Sequence, residues 1–182
     1  AGPSVATFFA ELGARVIKVE HPRHTDVTRS WKLPSEDPNS LVSAYFSSIN
    51  YKKTYKSLDL SLSTDKKLFL DLVKDADVLI TNFKKGDVEK FDITDEILFN
   101  LNSRLIHGKI NGYGSKSDRV AYDLILQAES GFMSMNGTSE SGPVKMPVAL
   151  IDVLAAHHLK EGILLALYER EKTGKGQIIL AC

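Results

Sequence analysis

The sequence has little of what marks several common protein classes. Its 182 residues include a single cysteine, Cys182, so no disulfide can form within the chain, and a reducing, cytoplasmic compartment is expected. Lysine plus arginine and aspartate plus glutamate both number 23, so no net charge attracts nucleic acid or an anionic membrane. Because charged residues and histidines interrupt the longest apolar helical run, we expect no membrane-spanning helix.

Nucleotide-binding and metal-binding signatures are missing as well. Gly112-Tyr113-Gly114 lacks the third glycine of a dinucleotide-binding turn, and no phosphate-binding G-x-x-x-x-G-K-[ST] loop is present. His157 and His158 are adjacent, so they point to different faces of a helix and do not form a metal-ligand pair. We therefore expect no metal site and no tightly bound cofactor.

The composition is that of a globular domain, with 43% apolar and 25% charged residues. The length suffices for one sizeable core. The chain starts at Ala1 without methionine and ends inside an apolar run, residues 178–182. We therefore expect a fragment of a longer protein.

Short apolar strands alternate with amphipathic helices along the chain. This alternation predicts an α/β fold with a Rossmann-like, doubly wound and mostly parallel sheet. Residues 21–44 are polar and contain three prolines, which indicates a long surface loop. A further helix should begin at a cap formed by Ser63 or Thr64. The other expected helices are residues 3–12, 94–99, 121–129 and 148–171, and the expected strands are 15–19, 77–81 and 105–110, with a short extended piece at 57–60.

The loops after three predicted strands are the expected place for a ligand, because open α/β sheets bind ligands outside the carboxyl ends of their strands. They are residues 20–23, 82–86 and 111–114. Residues 82–85, Asn-Phe-Lys-Lys, supply an amide, an aromatic ring and two cations, which suit an adenine and a ribose phosphate. The alternative is an ordinary solvated basic face. Lys52-Lys53 and Lys116 with Arg119 are further basic groups.

An aspartate at the start of the longest predicted helix is the main candidate for chemistry. Asp152 follows Pro147 and lies at the start of the apolar run. A carboxylate in the first turn of a helix lies in the positive field of its N-terminus, which favours the ionised, nucleophilic form. Position alone also fits an ordinary helix-start acid without chemistry.

Short segments spread over the whole chain carry a family resemblance. They are residues 1–3, 12–20, 26–29, 76–83, 102–106, 112–114, 121–124, 142–143, 152 and 170–177. Together and in this order they closely resemble the family III CoA-transferases, also called CaiB/BaiF-like proteins. The resemblance implies that residues 1–182 are a fragment of the large CoA-binding domain, with the small domain and the C-terminal closing segment outside it. It also implies a homodimer of two interlocked ring-shaped subunits.

The family chemistry assigns a role to Asp152. The resemblance implies an acyl-CoA donor and a small carboxylic acid acceptor, with an aspartyl-acyl anhydride followed by an aspartyl-CoA thioester. Such a covalent path divides one difficult exchange into easier steps. The glycine-rich loop of the family lies beyond Cys182, so we expect the fragment alone to be inactive.

The resemblance also transfers a set of CoA contacts to this chain. Three nearby positions depart from the family pattern: His21 stands where arginine is frequent, Ser61 where lysine is frequent, and Val120 where some members have lysine. Arg23 or Lys56 are the candidates to compensate. The implied contacts are Ala1, His21, Leu58, Asn82, Phe83, Lys84, Lys90, Arg119, Val120, Ala121 and Tyr122.

Two other functions remain as alternatives. An α-methylacyl-CoA racemase would use a histidine and an aspartate as acid and base, but the histidine position is Tyr122 here. A phenol with a pKa of about 10 is a poor base at neutral pH. The second alternative is a CoA-binding subunit without activity, against which the presence of Asp152 argues.

Overall fold

The computed structural model describes residues 1–84, 86–114, 117 and 119–182. Within this part of the chain, parallel strands form two hydrogen-bonded groups. In the first, β1 (Val16–Glu20) pairs with β2 (Lys53–Ser57). In the second, β4 (Ile106–Ile110) lies between β3 (Val78–Thr81) and β7 (Gln177–Ala181). The α/β class and the parallel strands predicted from the sequence are confirmed.

The position of β2 differs from the prediction of an extended piece at 57–60. The strand lies earlier, at Lys53–Ser57, and residues 54–57 are exposed. Its residues lack apolar alternation, so the strand exists because it pairs with β1 and not because it buries a face of its own. After it, the amide of Leu58 donates to the carbonyl of Glu20 at 2.9 Å, and Leu58 turns into the core.

Only some of the helices in the structure agree with those expected from the sequence. Neither Ser63 nor Thr64 caps the third helix, because Leu62 occupies the N-cap position without a side-chain hydrogen bond. Thr94 caps the fifth helix as predicted, its hydroxyl accepting from the amide of Ile97 at 3.4 Å. The helices are α1 (Gly2–Glu11), α2 (Ala44–Ile49), α3 (Ser63–Lys74), α4 (Asp87–Lys90), α5 (Asp95–Leu101), α6 (Asp123–Glu129), α7 (Phe132–Met135) and α8 (Leu150–Thr173).

Helices pack on both faces of the β3–β4–β7 group. Val78 and Ile80 face a core formed with α1 and α8, whereas Leu79 between them faces a core formed with α3 and α5. This alternation is the ordinary geometry of a strand buried on both sides. The first core is centred on Val5, Ile106, Ala156, Leu159, Ile163 and Ala166, and the second on Leu58, Phe69, Val73, Ile93, Leu98 and Leu105.

The long loop after β1 is held by buried charges. The carboxylate of Glu20 accepts two hydrogen bonds from Arg29, at 3.0 and 3.1 Å, and the amide of Asp26 donates to it at 3.1 Å. Asp26 caps a 3-10 turn at Val27–Ser30 and accepts from Lys18 at 2.8 Å. The Asp26–Arg29 segment therefore holds the loop against β1.

Two smaller features complete the described fold. β5 (Gly137–Thr138) and β6 (Gly142–Pro143) form a short antiparallel hairpin before α8. Among the described residues, no helix combines the length and the apolar composition needed to cross a bilayer.

Candidate functional site

An open cleft of about 2190 Å³ runs between the two strand groups, past the carboxyl ends of β1 and β3 and the N-termini of α1 and α8. The edges of β1 and β3 that face each other line it, because these strands are not paired with each other. Most of the residues selected from the sequence lie along this cleft; the exception is Lys90. Those that line it are Ala1, His21, Leu58, Asn82, Phe83, Lys84, Arg119, Val120, Ala121, Tyr122 and Asp152.

Asp152 lies where two helix N-termini meet. It occupies the first turn of α8, and the backbone nitrogen of Ala1, at the start of α1, is 3.6 Å from its Oδ2. Its side chain is 49% exposed, and we find no hydrogen bond to its carboxylate from any described residue. Both helix fields favour a negative charge at this point, and the carboxylate is free to attack an electrophile in the cleft.

The first turn of α8 depends on two residues that the sequence did not single out. The carboxylate of Asp123, on α6, accepts hydrogen bonds from the amides of Ile151 and Asp152 at 2.8 and 3.3 Å. Gln127, one turn further along α6, is fully buried and donates to Asp123 at 2.6 Å. Aspartate and glutamine four residues apart on a helix are neighbours on one face, which is a weak signal that sequence reasoning could have used.

His21 is engaged in a turn. Its Nδ1 accepts from the amides of Arg23 and His24, at 3.0 and 3.1 Å, so this nitrogen carries no proton. Its Nε2 lies 3.3 Å from the carboxylate of Asp59. Ser61 donates its hydroxyl to Asp59 at 2.5 Å, and hydrogen bonds from Ser61 lower the pKa of Asp59. The imidazole therefore meets an anion on one side and amide donors on the other, which does not suit a direct phosphate contact.

Arg119 is paired before any ligand arrives. Its guanidinium forms an ion pair with Glu129 and lies over the ring of Tyr113, 3.9 Å from the ring centre. The Tyr113 hydroxyl donates to the same carboxylate at 2.9 Å, and the hydrogen bond from Arg119, followed by that from Tyr113, lowers the pKa of Glu129. Arg119 can therefore offer a planar, oriented guanidinium to the cleft, with its charge partly offset by Glu129.

The Asn-Phe-Lys turn after β3 presents two of its three side chains to solvent. Asn82 and Lys84 are exposed, whereas Phe83 is half-buried and packs against the second core, 6.3 Å from the ring of Phe91. Lys90 is on α4, 5.3 Å from the same Phe91 ring and away from the cleft lining. Lys85 and Lys116, two of the basic residues noted in the sequence, lie outside the described residues.

A buried histidine supports the end of β3, directly before Asn82. His107 on β4 is 3% exposed; its Nε2 lies 2.9 Å from the Thr81 hydroxyl and its Nδ1 2.9 Å from Asp95, which also pairs with Lys109. Burial, followed by the charge of Lys109, lowers the pKa of His107. The neutral ring thus donates from Nδ1 to Asp95 and accepts from Thr81 at Nε2.

The chemistry available here is that of carboxylates, amides and cations. In the part of the chain that the structure describes, no group of three or more histidine, cysteine, aspartate or glutamate side chains is arranged to hold a metal ion. A nucleophilic carboxylate beside helix N-termini, at one end of a cleft with cationic and amide side chains, suits an activated acyl compound with an anionic handle.

Comparison with known proteins identifies the class. Residues 1–181 match the model of CoA-transferase family III, and the chain belongs to that family. It is 36% identical over 186 residues to the succinyl-CoA:mesaconate CoA-transferase of Haloarcula hispanica, covering 98% of this chain and 47% of that protein. It is 37% identical over 185 residues to the succinate–glutarate CoA-transferase of Agrobacterium fabrum, covering 98% and 46% respectively.

The fold supports the same assignment. A crystal structure of a CaiB/BaiF family protein from Brucella suis superposes with a TM-score of 0.88 at 35% identity, over 98% of this chain and 48% of that one. The family predicted from the sequence motifs is therefore confirmed. The chain spans about half the length of the curated relatives it matches.

Proposed function

We propose that the whole protein transfers CoA from an acyl-CoA donor to a carboxylic acid acceptor, with Asp152 as the acyl carrier. The observation that carries this proposal is the state of the Asp152 carboxylate. It is half exposed in the cleft, lies at the meeting of two helix N-termini, and has no hydrogen bond from the described residues. Family membership supports the reaction class.

The relatives suggest the size and charge of the acceptor. Their names include mesaconate and glutarate, both small dicarboxylic acids. We propose an acceptor of this kind for the present protein. One carboxylate of such an acid would react, and the other would be available for recognition by cations in the complete site.

The proposed reaction begins with attack by Asp152. A carboxylate oxygen forms a bond to the thioester carbonyl carbon of the donor, the carbon–sulfur bond breaks, and CoA leaves as a thiolate. The product is a mixed anhydride between Asp152 and the donor acyl group. The thiolate then attacks the side-chain carbonyl of Asp152, releasing the donor acid and leaving an aspartyl-CoA thioester.

The second half repeats these steps in reverse. The acceptor carboxylate attacks the aspartyl thioester and releases CoA thiolate, which then attacks the acceptor carbonyl of the new anhydride. Acyl-CoA of the acceptor leaves, and Asp152 returns to its free carboxylate. Each step exchanges one activated acyl bond for another, so no ATP is consumed.

The site residues have separate roles in this proposal. The N-termini of α1 and α8 stabilise the anionic form of Asp152. Lys84 and Arg119 supply cations for CoA phosphates, and Asn82 supplies an amide. Ala1, Leu58 and the 120–122 segment line the cleft. The contacts of His21 argue that it shapes the turn after β1 and does not bind phosphate directly.

An Asp152→Asn substitution in the whole protein tests the assignment. We expect loss of CoA transfer by at least about a thousandfold, because the amide is not a nucleophile, with the Kd for CoA largely unchanged. Incubation of the wild type with acyl-CoA and hydroxylamine should modify Asp152, which mass spectrometry would detect.

Glu96→Gln is the matched control, because Glu96 is an exposed acid in the first turn of another helix, α5. It should leave turnover unchanged. Near-wild-type turnover of Asp152→Asn, or hydroxylamine modification at another residue, would show that Asp152 is not the acyl carrier. Exchange of the α-proton of a branched acyl-CoA without an acceptor acid would instead indicate the racemase reaction.

A further inference from the structure

We infer that Asp123 is a positioning residue for Asp152: it caps α8 from another helix and thereby leaves the Asp152 carboxylate free to react. This inference rests on the proposed role of Asp152 as acyl carrier. It also explains why the Asp152 carboxylate accepts no hydrogen bond from the backbone amides of its own helix.

The start of α8 has no local cap. The first amides of a helix have no partner within the helix, and a side-chain oxygen at the N-cap position usually accepts from them. In α8 that position is Ala149, which has no acceptor. Oδ1 of Asp123, on α6, caps the helix instead and accepts from the amides of Ile151 at 2.8 Å and Asp152 at 3.3 Å.

The hydrogen bonds from these two amides to Asp123 matter because the Asp152 carboxylate lies next to the same amides. Aspartate near a helix N-terminus readily bonds to free amides of its own turn. If the amides of Ile151 and Asp152 were unpaired, the Asp152 carboxylate would be the nearest anion to accept from them. Asp123 removes that competition, which agrees with the absence of hydrogen bonds to the Asp152 carboxylate from the described residues.

Gln127 fixes the orientation of this cap. Its Nε2 donates to Oδ2 of Asp123 at 2.6 Å and to the carbonyl of Val148 at 3.0 Å, and its Oε1 accepts from the amide of Met146 at 2.8 Å. Gln127 thus holds the backbone on both sides of Pro147, which has no amide hydrogen to donate. The side chain is fully buried with both of its polar atoms paired, so it allows little alternative geometry.

The arrangement makes the position of an acceptor oxygen decisive, and not the charge of Asp123. Asparagine retains an oxygen at Oδ1 but places its Nδ2 donor against the Nε2 donor of Gln127, so it should cap α8 less well than aspartate. Glutamate retains the charge but moves its oxygens by one methylene, out of line with the amides of Ile151 and Asp152. Alanine retains neither property. The expected order of activity is therefore wild type, then Asp123→Asn, then Asp123→Glu, then Asp123→Ala.

Single-turnover kinetics of the whole protein test this order. The acyl-enzyme formed from acyl-CoA would be quenched with hydroxylamine, and the modified Asp152 peptide quantified against time. We expect Asp123→Ala to slow acylation by about tenfold to a hundredfold, the effect of misplacing a reacting group. The KM for the donor should stay within about twofold, since loss of positioning acts on the chemical step. Asp123→Asn should acylate at a rate between those of the wild type and Asp123→Ala.

Thr94→Ala is the control for a general loss of stability. It removes the hydroxyl that caps α5 through the amide of Ile97, away from the cleft lining. It should cost a similar amount of stability, about 1 kcal/mol, without changing acylation. If Thr94→Ala slowed acylation as much as Asp123→Ala, the effect would be a general one and the inference wrong.

Two further outcomes would overturn the inference. One is wild-type acylation by Asp123→Ala; the other is wild-type acylation by Asp123→Glu, which would show that the position of the acceptor oxygen is not required. If Asp123→Ala does not fold, the rate of Asp123→Glu decides. Activity of Asp152→Asn would instead overturn the proposed function, so the two failures are distinguishable.

Discussion

Single side chains along the cleft differ in how many of their polar atoms are already engaged. His21 uses Nδ1 for two amides and faces Asp59 with Nε2, and Arg119 is paired with Glu129. The Asp152 carboxylate accepts no hydrogen bond from the described residues, and the nitrogen of Ala1 lies 3.6 Å from its Oδ2. A side chain that acts on a substrate needs polar atoms that are not already hydrogen-bonded or ion-paired. This difference therefore separates the candidate nucleophile from its structural neighbours better than residue type does.

The buried His107 predicts a pH dependence of stability. Its folded-state pKa is lowered below the ordinary value of 6.5, chiefly by burial. As the pH falls through 6.5, the unfolded chain takes up a proton that the folded state does not, so the free energy of unfolding should decrease. His107→Gln should reduce proton uptake on unfolding by up to about one proton between pH 6.5 and 5.

Urea denaturation at several pH values would measure this dependence. The exposed His157 offers a control, because His157→Gln removes an exposed histidine and leaves the buried His107 in place. An unchanged pH slope for His107→Gln would mean that this residue does not contribute to it.

At the scale of elements, the long helix α8 lies very close to the sheet, and two glycines make this possible. A Cβ at Gly108 of β4 would lie 3.1 Å from Cδ1 of Ile163, and a Cβ at Gly162 of α8 would lie 2.5 Å from Cγ2 of Ile179. The close approach buries the inner side of α8, including Leu159 and Ile163, which are fully buried. It thereby sets the height above the sheet at which α8 presents Asp152.

A Gly162→Ala substitution should therefore destabilise the protein despite the better helix propensity of alanine. We expect a loss of about 1–3 kcal/mol from overpacking against Ile179, larger than the gain of about 1 kcal/mol in propensity. In an Ile179→Ala background the clash is removed and the same substitution should become neutral or stabilising. A double-mutant cycle by chemical denaturation would measure the coupling, and additivity of the two changes would contradict the predicted contact.

At the scale of the whole molecule, apolar side chains remain uncovered on two faces. On the outer side of α8, Leu165 and Tyr168 are 70% and 64% exposed. On the edge strand β7, Ile178 and Leu180 are 44% and 45% exposed, on the face opposite Ile179, which packs against α8. Exposed apolar patches on soluble proteins usually mark an interface. We propose that a second subunit and further chain cover these two faces in the whole protein, in keeping with the interlocked homodimer expected from the family resemblance.

The 182-residue chain on its own should accordingly self-associate as its concentration rises. Light scattering at increasing concentration would show this, and a Leu165→Lys, Tyr168→Lys double variant should reduce it, because charge opposes burial of the patch. Glu169→Lys, on the same helix, is the control for added positive charge. A monodisperse monomer at all concentrations would contradict the prediction.

Much of the fold could be predicted from local pattern. The apolar runs of β3, β4 and the helices α1, α6 and α8 carry their own periodicity, so their positions were correct within a few residues. The extended piece predicted at 57–60 lies later than β2, and the local pattern predicts no helix at α2. Strand pairing determines β2, while α2 depends on Phe46 packing under Arg29 and on the hydroxyl of Ser43 donating to the carbonyl of Thr28. Such contacts join residues far apart and leave little trace in a local window.

The sequence by itself determined the family and the alternating α/β plan, because motif order and apolar periodicity are local properties of the chain; through the family resemblance it also predicts Asp152 as the nucleophile. Only the tertiary structure decided which polar groups are free. The Nε2 of His21 meets Asp59 across 38 positions, and Asp123 reaches the amides of α8 across 28. Contacts of this range exist only once the helices and strands have packed, and for that reason the capping of α8 from α6 is a property of the fold.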